Sequence, residues 1–174
     1  VVYMGTLSQP YDDTLISGEI VCRGDFTDFT TPGTYKIVSR DGVESYPFVI
    51  SDNVYDDLLK DTFRMLYMQR CGMELSSGLA GDFAHPACHM QEAVIYGTDK
   101  TKTITGGWHD AGDYGRYVVP GAQTVQDLFM AYEDFPEIWD GSDADNMDIP
   151  ESGNGIPDIL DEARYELDWM IQMQ

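Results

Sequence analysis

Apolar residues change their spacing near residue 50. Before it they fall in short β-rich runs, and after it they recur at helical intervals. Glu19-Ile20-Val21-Cys22, Tyr35-Lys36-Ile37-Val38 and Tyr46-Pro47-Phe48-Val49-Ile50 each predict a strand. Thr31-Pro32-Gly33 and Asp41-Gly42 predict turns, the second flanked by Val38 and Val43. Strands so closely spaced predict part of a β-sandwich over residues 1–50, although fifty residues are few for a whole one.

From Ser51-Asp52, where either residue can cap a helix, Val54, Leu58, Leu59, Phe63, Leu66 and Tyr67 follow at helical spacing, with Gly72 as the stop. Residues 73–117 read as loop. A second helix is expected from Pro120, with Val125, Leu128, Phe129 and Tyr132 as its stripe and Pro136 as its end. Residues 140–155 read as an acidic loop. A third helix is expected from Pro157, facing Ile159, Leu160, Ala163, Leu167 and Met170 inward and running to Gln174. Three helices do not enclose loops of this length, so residues 51–174 read as part of a larger helical domain.

Composition narrows the partners. The 174 residues carry 10 basic and 31 acidic side chains, a formal charge of −21, which repels nucleic acid and anionic membranes. The hydrophobic share of 43% allows a core, and 12% aromatics argue against disorder. No apolar run is long enough for a membrane helix, and Val1-Val2-Tyr3 does not open a signal peptide. Three cysteines, Cys22, Cys71 and Cys88, do not make a disulfide framework.

Chemistry concentrates in residues 105–117. Asp110 and Asp113 flank Ala111-Gly112, a spacing that lets two carboxylates hold one water and lets one take its proton. A solvated glycine-rich turn has the same composition. Trp108, Tyr114 and Tyr117 offer flat faces for a sugar ring or for a core. Cys71, Cys88, His89 and His109 form a Cys2His2 set whose spacing is not that of a zinc finger; buried free thiols and ordinary histidines are the other reading. Residues 140–154 hold oxygen ligands at a density that suits calcium, but in the wrong register for an EF-hand, and a solvated acidic loop is the favoured reading.

In combination, "GGWHDAGDYGRY" (106–117), "MQRCG" (68–72), "HPACHM" (85–90) and "ESGNGIPDILDEARYELDWMIQMQ" (151–174) resemble glycoside hydrolase family 9, the cellulases. "DFTDFTTPGTYKI" (25–37) and "YPFVISDNVYDDLL" (46–59) resemble the immunoglobulin-like domain that precedes the catalytic domain in one subgroup and the junction between the two. The resemblance implies a partial immunoglobulin-like β-sandwich over 1–50 and the first helices of an (α/α)6 barrel over 51–174. It implies inverting hydrolysis of β-1,4-glucan, with Asp113 as general base and Asp110 as its partner on the water. Trp108, Tyr114 and Tyr117 would line the substrate. Cys71, Cys88, His89 and His109 would hold a structural zinc, and calcium is possible. The general acid, a glutamate late in the family's catalytic domain, would lie outside this chain. The 174 residues alone would then be inactive, with the rest of the catalytic domain as their partner. A secreted, extracellular enzyme is expected. A non-catalytic carbohydrate-binding module and a hydrolase using a catalytic zinc are the competing readings.

Overall fold

The computed structural model describes residues 1–174, the side chain of Ser142 excepted. The chain divides into two compact units, Val1–Tyr55 and Asp56–Gln174. Among the described residues, no helix is long and apolar enough to cross a membrane.

The first unit is built from short antiparallel pairs. Strand β1 (Tyr11–Asp12) pairs with β2 (Ile20–Val21), and β3 (Gly33–Tyr35) pairs with β4 (Phe48–Ile50) in the register Gly33 to Ile50 and Tyr35 to Phe48. The expected strand at 35–38 is displaced: β3 begins at Gly33 and ends at Tyr35. Val38 instead bridges Glu44 and closes the Asp41-Gly42 turn, where Gly42 takes a φ of 80°. Tyr35 and Phe48, on one face of the β3–β4 pair, gather Phe26 and Phe29 around them, with Phe29 edge-on to Tyr35 at 5.0 Å. No described residue of this unit is buried, because strands of two and three residues present too little face to enclose anything.

The second unit holds the core. Helix α1 (Asp56–Met68) buries Phe63 and Tyr67, and starts four residues later than its expected cap because residues 52–55 form a turn. A short helix α2 (Ser77–Ala80) and the hairpin β5 (Ala93–Val94) with β6 (Thr101–Lys102) follow. Helix α3 (Val118–Asp134) begins two residues before Pro120, which sits in the first turn, where a missing N–H leaves no bond unmade. Pro136 does not only end α3; it opens the four-residue α4 (Pro136–Trp139). Helix α5 (Asp158–Gln172) packs against α3 and α1.

The acidic stretch 140–155 is more ordered than its composition predicts. Ala144, Met147 and Ile149 are buried with Phe63, Tyr67 and Trp139 in the main core. Its carboxylates serve as acceptors for the loop itself. Asp145 takes the N–H groups of Gly153 and Gly155, both at 2.7 Å. Asp158, fully buried, takes the Met147 N–H at 2.7 Å and the Ser152 hydroxyl at 2.6 Å.

Candidate active site

Helix α5 seats the 105–109 segment with residues one helical face apart. Gln172 exchanges hydrogen bonds with the main chain of Thr105, at 3.1 and 3.0 Å. Trp169 lies under Gly107, where a φ of 75° and a Cβ that would stand 2.7 Å from the indole exclude any larger residue. Glu166 accepts the Trp108 main-chain N–H and Glu162 accepts its indole N–H, each at 2.7 Å. On its other edge the segment pairs with the residues after α1. The Cys71 N–H reaches Gly107 O at 2.8 Å, the His109 N–H reaches Gln69 O at 2.7 Å, and Arg70 bridges Trp108.

Beside these paired segments lies a buried charge cluster. Arg70, wholly inaccessible, meets both oxygens of Glu162, with Nε to Oε1 at 3.0 Å and Nη2 to Oε2 at 2.8 Å. Its Nη1 bonds Glu151 at 3.0 Å, and its guanidinium stands 4.3 Å from the Tyr165 ring. The Tyr165 hydroxyl donates to Cys71 O at 2.6 Å, which ties α5 to the start of the metal set.

Cys71, Cys88, His89 and His109 converge: their ligand atoms all lie within 4.8 Å of one another. The Cys71 and Cys88 sulfurs are 3.9 Å apart, and Cys88 Sγ is 3.7 Å from His109 Nε2. Around a tetrahedral zinc, two thiolates stand about 3.8 Å apart and a thiolate and an imidazole nitrogen about 3.5 Å. The residues therefore fit zinc in chemistry and in spacing. Burial, with lesser contributions from His89 and Arg116, holds the His109 imidazole below its ordinary proton affinity, which favours the neutral, ligating form. His89 takes a φ of 52°, unusual without a glycine, to bring its ring into the set.

Directly after His109 the chain turns. The Asp110 N–H donates to Gly115 O at 2.8 Å and the Tyr114 N–H to Ala111 O at 3.2 Å. Within this turn Asp113 receives the Gly115 N–H and the Tyr117 hydroxyl, both at 2.9 Å. The Gly115 amide first, and the Tyr117 hydroxyl second, hold its carboxyl below the usual carboxylate range. Asp113 reciprocally pushes the Tyr117 phenol up. Tyr117 folds back so closely that a Cβ on Gly115 would stand 2.6 Å from its hydroxyl. Asp110, Tyr117, Trp108 and Glu166 share the lining of one 220 Å³ cavity; Asp113 stands outside that lining and accepts the hydroxyl of Tyr117.

The family model for glycosyl hydrolase family 9 matches residues 55–174, well over half of the chain. The chain belongs to glycosyl hydrolase family 9. A second model, of the cellulase N-terminal ig-like domain, matches residues 1–44. A cellodextrinase of Butyrivibrio fibrisolvens is 44% identical over 164 residues, covering 91% of this chain and 29% of that protein. Endoglucanase D of Acetivibrio thermocellus is 38% identical over 178 residues, covering all of this chain and 28% of that protein. The crystal structure of a metagenome-derived family 9 endoglucanase shares a TM-score of 0.83 at 39% identity, covering 99% of this chain and 32% of that one. A solved Zn-binding triple mutant of a family 9 endoglucanase shares a TM-score of 0.81 at 37% identity, over 99% of this chain and 33% of that one. The chain thus spans 28% to 33% of the length of these relatives.

Within this family 9 chain the predicted residues fall into three groups. The four metal ligands come together. Asp110 and Asp113 share one turn with Tyr114 and Tyr117, and both tyrosine rings are more than half accessible or nearly so, at 61% and 50%. Trp108 is 7% exposed and gives its indole N–H to Glu162, so it anchors the loop while lining the cavity beside Asp110 and Tyr117. Tyr114 also has a second contact, its ring edge-on to His109 at 5.0 Å and 6.1 Å from His89, so it joins the metal set to the aspartate turn. Arg70, Glu162, Glu166 and Trp169 were missed. The available signal was an arginine next to Cys71, and glutamates at 162 and 166 on the same side of a helix as Ala163.

Proposed function

We propose that this chain supplies the water-activating half of an inverting β-1,4-glucan hydrolase. The observation that carries the reading is the Asp110–Asp113 turn fixed directly to His109 of the metal set, with Asp113 held ionised. In this reading Asp113 removes a proton from a water that Asp110 also holds. The water oxygen attacks the anomeric carbon from the face opposite the leaving sugar, and the glycosidic bond breaks. A glutamate from the remainder of the catalytic domain, outside this chain, protonates the departing oxygen, across a gap of about 6.5–9.5 Å that leaves room for the water. The low proton affinity of Asp113 makes it a weak base. Its contribution comes from geometry, since Gly115 and Tyr117 leave it one orientation.

Four protein ligands fill a tetrahedral shell, so the zinc is structural and leaves no position for substrate. When bound it would clamp Cys71, the Cys88-His89 loop and His109 to one point, and thereby the aspartate turn. Calcium in 140–154 draws less support, because Asp145 and Asp158 already serve the loop's own donors. Tyr114 and Tyr117 are aromatic faces offered to a sugar. Helices α1, α3 and α5 are the opening helices of an (α/α)6 barrel after a partial immunoglobulin-like domain, with a domain boundary near residues 50–55. The enzyme is secreted, where zinc protects the Cys71 and Cys88 thiols from oxidation. The test is the configuration of the first-formed product of the full-length enzyme on a β-1,4-glucan oligosaccharide, read by proton NMR before mutarotation. The α-anomer is expected, and the β-anomer refutes the inverting mechanism.

A further inference from the structure

Four residues of α5 hold the segment that leads into the aspartate turn, and Glu166 is the last of them to touch main chain before Asp110. Its Oε2 accepts the Trp108 N–H at 2.7 Å, two residues ahead of the first aspartate. Its other oxygen faces α3, where a Cβ on Gly121 would stand 2.2 Å from Oε1 and 3.1 Å from Cδ. Glycine is the poorest helix former after proline, and here its missing methyl is the space the carboxyl occupies. Glu166 is 1% exposed and lines the same 220 Å³ cavity as Asp110 and Tyr117. The charged groups around it are the Arg116 guanidinium, which follows the aspartate turn, and Glu162 on its own helix; burial pushes its carboxyl up to about 7. A buried amide with no acceptor is unfavourable, so the Trp108 amide follows the carboxyl that α3 and α5 place, between the Gly107 and His109 main-chain bonds to the residues after α1.

We infer that Glu166 is a positioning residue for the paired aspartates, fixing the register of residues 105–110 through the Trp108 amide. The inference rests on the reading of Asp113 as general base. It is tested in the full-length enzyme with Glu166→Ala, Glu166→Gln and Gly121→Ala, measuring kcat and KM per mole of bound zinc, so that only folded molecules are counted, and the acid limb of kcat/KM against pH.

Glu166→Ala is expected to lower kcat about 10²-fold with KM changed less than about threefold, as for a misplaced catalytic group. The acid limb moves to higher pH, because a slipped turn loosens the Gly115 and Tyr117 hydrogen bonds that hold Asp113 low. Glu166→Gln restores kcat to within about threefold of the parent, since its amide oxygen accepts the same bond. Gly121→Ala displaces the carboxyl without removing it and gives an intermediate loss with the same shift of limb, which keeps the test alive if Glu166→Ala does not fold. Parental kcat and acid limb in both alanine variants overturn the inference, as does a glutamine variant as slow as the alanine one. Asp113→Ala separates the two levels. If it keeps parental kcat, the base assignment falls and this inference with it. If it is inactive while Glu166→Ala and Gly121→Ala are parental, the positioning role alone falls.

Discussion

The 110–117 turn and the inner face of α5 both carry carboxyls, and their surroundings move the protons in opposite directions. Asp113 stands in solvent, receives one backbone and one phenolic hydrogen bond, and is held ionised. Glu166 is buried, receives one backbone hydrogen bond, and is pushed up to about 7 by desolvation. Glu162, equally buried, keeps company with Arg70. Whether a carboxyl acts as a base, a fixed acceptor or half of an ion pair is thus decided by hydration and partners. The exposed turn carries the proposed base, and the buried face carries the carboxyl proposed to set its register.

Chelation should break this division most severely. Structural zinc contributes on the order of 10 kcal/mol of binding free energy in small domains. Its removal from the full-length protein is expected to give the largest fall in unfolding midpoint, with hydrogen exchange quickening first at 69–71 and 107–117. An unchanged midpoint after verified zinc loss would show that α5 alone holds the turn.

Arg70→Met attacks the other side. It leaves Glu162 and Glu151 without their cation, and breaking a buried pair from one end costs about 3–5 kcal/mol. Urea unfolding should show that loss. A change below about 1 kcal/mol would mean that the cluster is solvated and not a support.

Glu166→Gln gives a smaller, pH-dependent effect. The folded carboxyl binds its proton more tightly than the unfolded one, whose ordinary value is 4.5. The stability it contributes is therefore complete below about 4.5 and is lost as pH rises through about 7, by ~3 kcal/mol at most. Relative to the parent, the glutamine variant should gain that stability between pH 4.5 and 8. A parent-to-variant difference flat across the range would place Glu166 in water.

Tyr117→Phe is the mildest change. Asp113 loses one of its two hydrogen bonds, so the acid limb of kcat/KM should move to higher pH while the zinc content stays fixed. An unmoved limb would detach Tyr117 from the base.

Periodicity made α1, α3 and the start of α5 legible, because apolar residues recur at helical spacing around the buried Phe63, Val125 and Ile159. The charged face of α5 was hidden for the same reason. Asp158, Asp161, Glu162 and Glu166 fall outside the expected apolar stripe of that helix, yet all four are buried, with partners far away in sequence, such as Arg70, or in the preceding loop, such as Ser152. The neighbours of Trp108 are glycines and tyrosines, and none of them announces the bond its indole N–H makes to Glu162. The strand limits at 33–38 were misplaced because two- and three-residue pairs leave almost no alternation to read. The metal set was open to two readings by spacing alone. Its convergence depends on the pairing of 69–71 with 107–109, a contact that no local pattern announces.

The central claim, that a metal-pinned turn presents Asp113 as the base, is tested most directly by Asp113→Ala in the full-length enzyme, with kcat and bound zinc measured on the same preparation. The account predicts a loss of kcat of about 10²- to 10⁴-fold with zinc still at parental stoichiometry. Parental turnover in a zinc-loaded Asp113→Ala enzyme would contradict it.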